Sequence, residues 1–197
     1  MKYFEEFDSR PLLVAITGPN GAGKTTFYHA HLESAGLRFI NADNLAHSLH
    51  IDAYAAAKVA GSLRRELVKR RESFVFETVF SDPVGDKLSS LKEAVEAGYT
   101  VVLCYIGLAN FKMSEARVSM RVSQGGHDVP TEKLKSRFPR TIANLERAIR
   151  ELPQVLIYDN SDLRRPFRRI AVFRKGLMIH RSKDIPKWFK PLDLKLK

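Results

Sequence analysis

The sequence predicts an α/β protein: a parallel five-stranded sheet with helices on both faces, then a C-terminal β-hairpin and a basic tail. Three observations carry that expectation. Short apolar, β-branched runs alternate with helix-length amphipathic segments, the pattern of βαβ units whose strands are buried on both faces. The first apolar run passes directly into a glycine-rich turn and then a helix. After residue 162 the alternation stops, and two short strands joined by Arg174-Lys175-Gly176 replace it.

In chain order, residues 11–17 (PLLVAIT) form an unbroken apolar run and read as a buried strand. Residues 38–41 (RFIN) read as a short second strand. Residues 73–79 (SFVFETV) are aromatic and β-branched and read as a third. Residues 100–107 (TVVLCYIG) and 154–158 (QVLIY) supply the fourth and fifth. Helical stretches are expected over 23–34, 52–71, 82–97, 111–123 and 131–152. Residues 169–173 and 177–181 read as the hairpin. The polar end that follows contains Pro186 and Pro191, which oppose a long helix.

The chain has 197 residues, enough for one domain or one plus an appendage. Its net charge of +11 is concentrated at one end. Residues 1–162 hold 21 basic and 20 acidic side chains, whereas residues 163–197 hold 12 and 2. The expected division is therefore a nearly neutral body, 1–162, and a basic hairpin and tail, 163–197. One cysteine, Cys104, excludes an internal disulfide framework and a cysteine-rich zinc site; within an apolar strand it reads as core. No apolar run is long enough for a membrane span, and the first ten residues lack the apolar segment of a secretory signal. A cytoplasmic protein with no membrane partner is expected.

Gly18-Pro19-Asn20-Gly21-Ala22-Gly23-Lys24-Thr25 fulfils G-x-x-x-x-G-K-[ST] between a buried strand and a helix, with Thr26 following. Such a loop turns backbone N–H groups inward around phosphate oxygens, and the helix adds its positive end. Lys24 is expected on the β and γ phosphates, and Thr25 on Mg²⁺. ATP or GTP is the implied cofactor. The loop is shared with transporter-type ATPases, but their LSGGQ-like signature and strand ending in Asp-Glu are absent.

Ligands of open α/β sheets sit at the carboxyl ends of strands. Asp43, two residues after the second strand, suits a general base taking a proton from a hydroxyl; it suits equally an N-cap for a helix starting at Asn44. Glu77, ending the third strand, reads as orienting substrate or holding a metal-bound water, or as capping the loop. Thr78 beside it is a substrate contact. Asp82 reads as a cap for the next helix. Arg117 and Arg121 share a helix face, and Arg137 and Arg140 lie on the next helix, with Gly125-Gly126-His127-Asp128-Val129-Pro130 between. A glycine-hinged element flanked by arginines reads as a phosphate-closing lid, or as two solvated helix faces.

The order GPNGAGKTT, INAD, FVFETVFSDP, RVSMRVSQGGHDVPTEKLKSRFPRTIANL and IYDNSD resembles the zeta-toxin family, within it the short zeta-toxin-like P-loop kinases, UDP-N-acetylglucosamine kinase-like, over residues 12–172. The resemblance implies a P-loop kinase fold, a nucleoside triphosphate with Mg²⁺, a small hydroxyl acceptor such as a UDP-activated amino sugar, and a small antitoxin partner. On matching positions it implies Lys24 and Thr25 at the nucleotide, Asp43 as general base, Glu77 and Thr78 at the substrate, and Arg121 with Arg117 as lid arginines. The larger toxins carry a second lid arginine three residues before a proline; here that position is His127, leaving Arg137 or Arg140 to supply the charge. The turn holding Asn160 lies where related kinases hold the nucleotide base. The expected function is transfer of a γ-phosphate to a hydroxyl of a small substrate by a toxin of a toxin–antitoxin pair. The alternative is a polynucleotide kinase-like or nucleic-acid-associated NTPase using the basic tail.

Overall fold

The computed structural model describes residues 9–125 and 128–195. A seven-stranded sheet has the order β2-β3-β1-β4-β5-β6-β7. The parallel strands are β1 (Leu12–Thr17), β2 (Arg38–Ile40), β3 (Phe74–Thr78), β4 (Thr100–Gly107) and β5 (Gln154–Asp159). The hairpin, β6 (Arg168–Arg174) and β7 (Leu177–Arg181), continues that sheet antiparallel to β5, raising its strands from the expected five to seven. Lys175 (φ 49°) and Gly176 (φ 78°) put two left-handed residues in a row at its turn, which matches the twist of a tight hairpin.

Each central strand is buried on both faces, and alternate residues feed two cores. Leu13, Ala15, Phe74, Phe76, Leu103, Tyr105 and Ile157 face one core. It is covered by α3 (Ala53–Lys69), α4 (Asp86–Glu96) and α6 (Thr131–Glu151). Leu12, Val14, Ile16, Val75, Cys104 and Ile106 face the other, under α1 (Lys24–His31). Burial pushes the Cys104 thiol up to about 12, consistent with an inert core residue.

Helix boundaries follow local chemistry. Asp52 caps α3 by accepting from the Tyr54 and Ala55 N–H groups. The fourth helix starts at Asp86, four residues later than expected from the sequence, because Pro83 and a left-handed Gly85 (φ 88°) occupy the approach. Asp82 still accepts from the Lys87 N–H at 3.3 Å. The C-terminal end carries only a short helix, α7 (Lys190–Lys195), with Pro191 in its first turn, in keeping with prolines that oppose a long one. Just before it, Phe189 is fully buried, and Leu192 joins the same core.

The strand order reverses about β1, whose neighbours β3 and β4 lead to opposite edges. That topology opens a crevice at the carboxyl end of β1, where the glycine-rich loop begins.

Candidate active site

The loop is held tightly from behind. Gly18 adopts φ 140°, and a Cβ there would lie 2.2 Å from the Ile106 carbonyl oxygen, so only glycine fits. Gly23, at φ 85°, starts α1 without a side-chain cap, leaving helix-end N–H groups for an anion. The Lys24 ammonium folds back over the loop, donating to the Pro19 carbonyl at 2.9 Å. Burial pulls its proton affinity below the usual lysine range; Glu77 and Asp43 oppose that shift and Arg121 adds to it. Thr25 donates to Glu77 Oε2 at 2.7 Å, tying the loop to the end of β3. Asn20 Oδ1 is buried without a partner. Thr26 is exposed at the outer rim of the loop.

Helix α2 (Ala42–Leu49) is not capped by Asp43. Asn41 is the N-cap: its Oδ1 accepts from the Asp43 and Asn44 N–H groups at 2.7 and 3.2 Å. The Asp43 carboxylate is thus not committed to capping, and it lines a cavity of about 310 Å³ together with Asn20, Lys24, Glu77, Thr78 and Arg121. Arg121 comes from α5 (Phe111–Ser123). The wall also includes Asp128, Val129 and Pro130. Lys24, Lys87, Arg121, Lys133 and Arg137 face only Asp43, Glu77 and Asp128, an excess of cations that suits phosphate groups.

Other expected site residues lie behind the cavity wall. Arg117 donates to the Asn160 carbonyl at 2.8 Å, and its Cβ would be 3.1 Å from a Cβ on Gly21; it braces the loop. Asn160 donates from Nδ2 to the Ala22 carbonyl at 2.9 Å and accepts the Phe167 N–H at 3.3 Å on Oδ1, so its amide joins loop to sheet. Arg140 contacts Ser136 at 3.4 Å and is not part of the cavity wall. His127 lies outside the described residues.

The Zeta toxin family model matches residues 40–169. The chain belongs to the zeta-toxin family. A Haemophilus influenzae protein is 28% identical over 127 residues, which is 61% of this chain and 88% of that one. Among solved structures, the AvrRxo1-ORF1:AvrRxo1-ORF2 complex, determined with sulphate ions and with ATP, aligns at a TM-score of 0.70 and 18% identity. That alignment covers 98% of this chain and 65% of the AvrRxo1 chain, so the present chain is about two thirds of its neighbour's length. The PezAT toxin–antitoxin system of Streptococcus pneumoniae aligns at a TM-score of 0.61 and 15% identity, covering 95% of this chain and 86% of that one. Both likenesses establish the P-loop kinase fold. Among the described residues, no helix is long and apolar enough to cross a membrane.

This zeta-toxin-family cavity contains residues that sequence reasoning passed over. Lys87, in the first turn of α4, reaches the Val79 carbonyl and lines the cavity beside Thr78, Val79 and Ser81. Burial lowers its pKa to about 8, against a pull upward from Asp82 and a further push down from Arg64, Arg137 and Lys24. Lys133 donates to the Tyr54 hydroxyl at 3.1 Å, bridging α6 to α3. Nothing in the sequence separates either lysine from a solvated helix residue; only the convergence of α3, α4 and α6 does. Asn144 holds the β3–α4 connection in place, donating to the Phe80 and Asp82 carbonyls at 3.1 and 3.0 Å.

Proposed function

We propose that the chain is a kinase that transfers the γ-phosphate of ATP or GTP to a hydroxyl of a small acceptor. The observation that carries this is the Asp43 carboxylate, relieved of capping by Asn41, in one cavity with Lys24, Glu77 and Arg121. The glycine loop, the unpartnered Asn20 Oδ1 and the Thr25–Glu77 oxygen pair fit a triphosphate with Mg²⁺. Among the described residues there is no cage of three His, Cys, Asp or Glu, and Mg²⁺ in such sites ordinarily keeps waters and phosphate oxygens as ligands. Thr25 would hold the ion directly and Glu77 would orient its water. Bound Mg²⁺ with the triphosphate supplies an activated phosphoryl group and partial neutralisation of its charge.

The chain's own residues do the rest. Asp43 accepts the proton of the acceptor hydroxyl as its oxygen attacks, a role worth roughly 10²–10⁴ in rate. Lys24, buried, and Arg121, half-buried, stand opposite the charge of the transferring group. Arg117 and Asn160 position the phosphate loop from behind rather than touching the reacting atoms. Thr78, Lys87 and Arg137 orient the acceptor. The catalytic side chains come from residues 1–162, and we assign residues 163–197 to support of the sheet edge.

We further propose a UDP-amino sugar as the acceptor and a small antitoxin as the protein partner; the family and the PezAT and AvrRxo1 complexes support that reading. The test is incubation of the protein with γ-labelled ATP and Mg²⁺ against UDP-sugars, free sugars, nucleosides and 5′-hydroxyl oligonucleotides, with mass spectrometry of the products. Label on a UDP-sugar hydroxyl supports the assignment. Label only on oligonucleotides would move the chain to the polynucleotide-kinase reading, and no acceptor label beyond hydrolysis contradicts kinase chemistry.

A further inference from the structure

A second cavity, of about 250 Å³, lies on the same face of the sheet between α3 and α4, towards the amino ends of β1 and β3. Its floor is apolar: Leu13, Phe74, Phe76, Leu91 and Ala94. Its rim is mainly cationic, with Arg64, Arg65 and Lys69 against Glu93.

Arg64 gives this cavity chemical character. Its guanidinium lies over the Phe76 ring, 4.7 Å from the ring centre, a cation–π contact at the cavity wall. Burial lowers its proton affinity, and the charge that acts on it is another cation, Arg65. A largely buried guanidinium with no carboxylate in ion-pair distance among the described residues is electrostatically unsatisfied. Its planar fork suits a carboxylate, sulfonate or phosphate. The mouth is kept open by Gly61, part of α3: a Cβ there would meet only the ends of Arg65 and Arg64, at 3.7 and 3.8 Å. Glycine is a poor helix interior residue, and neither a tight approach nor a left-handed backbone demands it at this position.

We propose that this cavity is a binding site for a small amphipathic anion: a single flat apolar ring between α3 and α4, above the buried Phe74, Phe76 and Leu91 and beside Gly61 and Val68, with a carboxylate on Arg64. The volume is just under the usual range for drug-sized ligands, about 300–1,000 Å³, which favours one ring over a nucleotide or a sugar nucleotide. The same three elements wall both cavities: α3 contributes Tyr54 and Ala57 to the first and Gly61 and Arg64 to the second, while β3 and α4 also contribute to each. The site is nonetheless separate from the phosphate loop, and it does not depend on which acceptor the kinase uses.

The test uses the full-length protein with saturating ADP and Mg²⁺, so that the phosphate loop is occupied. The probes are 4-(trifluoromethyl)benzoate and its neutral counterpart 4-(trifluoromethyl)benzyl alcohol, titrated by ¹⁹F NMR. The benzoate should bind saturably at one site, at least tenfold more tightly than the alcohol. Gly61→Leu should weaken the benzoate at least tenfold by filling the mouth. Arg64→Met should bring the benzoate to the alcohol's affinity while leaving the alcohol unchanged. Circular dichroism melts of both variants should lie at or above the wild type, since one removes a helix-interior glycine and the other a buried cation, and their kinase rates at saturating acceptor should match it, which separates loss of the site from loss of the fold. Non-saturating benzoate binding, equal affinity for acid and alcohol, or wild-type affinity in Gly61→Leu would each overturn the proposal.

Discussion

Charge is arranged in opposite ways in the active-site cavity and in the C-terminal segment. In the cavity, five cations face three carboxylates, and burial depresses the proton affinities of Lys24 and Lys87. In residues 163–197 three of the twelve cations, Arg165, Arg168 and Arg181, are tied to carboxylates of the segment and of the sheet. Arg168 pairs with Asp159 at 3.4 Å and with Asp184 at 3.1 Å. Arg181 clasps the buried Asp193 through two bonds of 2.8 and 2.7 Å. Arg165 reaches Asp162 at 3.3 Å and Asp184 at 3.7 Å. Trp188 donates to Asp159 at 2.9 Å and packs on Gly107, where a Cβ would lie 2.1 Å from the indole. The first arrangement gathers more cations than carboxylates around a cavity; the second uses cations to fasten an added hairpin and helix to the edge of a sheet. A net charge of +10 in the tail is therefore a weaker pointer to function than the smaller excess inside the cavity.

The sharpest way to break this contrast is at Lys24. Lys24→Met should lower phosphoryl transfer by at least about 10³ with little change in thermal stability, as seen in paired kinase assays and melts. In the C-terminal segment the effects should be reversed. Phe189→Ala removes a fully buried ring and should destabilise the fold by about 3–5 kcal/mol, read from urea midpoints, while kcat per folded molecule stays within about twofold.

Lys87 sharpens the comparison through pH. Its ammonium titrates near 8 in the fold against an ordinary 10.5, so between those values the unfolded chain binds more protons and wild-type stability rises with pH. Lys87 contributes at most about 3 kcal/mol of that gain, and Lys87→Met should remove this share in urea unfolding at pH 7.5 and 9.5, leaving the part due to Lys24, whose proton affinity burial also lowers. Acceptor KM in the wild type should rise as pH passes 8, because the amine loses its charge; in Lys87→Met it should be high and flat. The smallest effect is expected at Arg165→Ala, whose exposed pairs should be worth under about 1 kcal/mol.

The legibility of these regions in the sequence differed for the same physical reason. The five parallel strands and the phosphate loop were readable because each is a local pattern: an unbroken apolar run such as residues 11–17, or glycines at fixed offsets before Lys24. Local reading also placed β6 and β7 as a hairpin. It did not show that the hairpin joins the sheet, which depends on β5 offering a free edge. Asp43 could be found but not separated from a cap, since that depends on Asn41 taking the cap instead. Lys87, Lys133 and the Arg64–Phe76 pair carried no local signal, because their environments are assembled by helices distant in sequence. Arg117 and Arg121 looked equivalent on one helix face, yet Arg121 lines the cavity and Arg117 grips the Asn160 carbonyl.

The role of Asp43 is the claim on which the proposed chemistry rests most directly. The decisive measurement is phosphoryl transfer by Asp43→Asn alongside its ATP affinity by calorimetry. Transfer should fall by about 10²–10⁴, while the affinity for ATP stays within about threefold of wild type and the melting temperature holds or rises. Near-normal transfer in Asp43→Asn would contradict the assignment of Asp43 as the base.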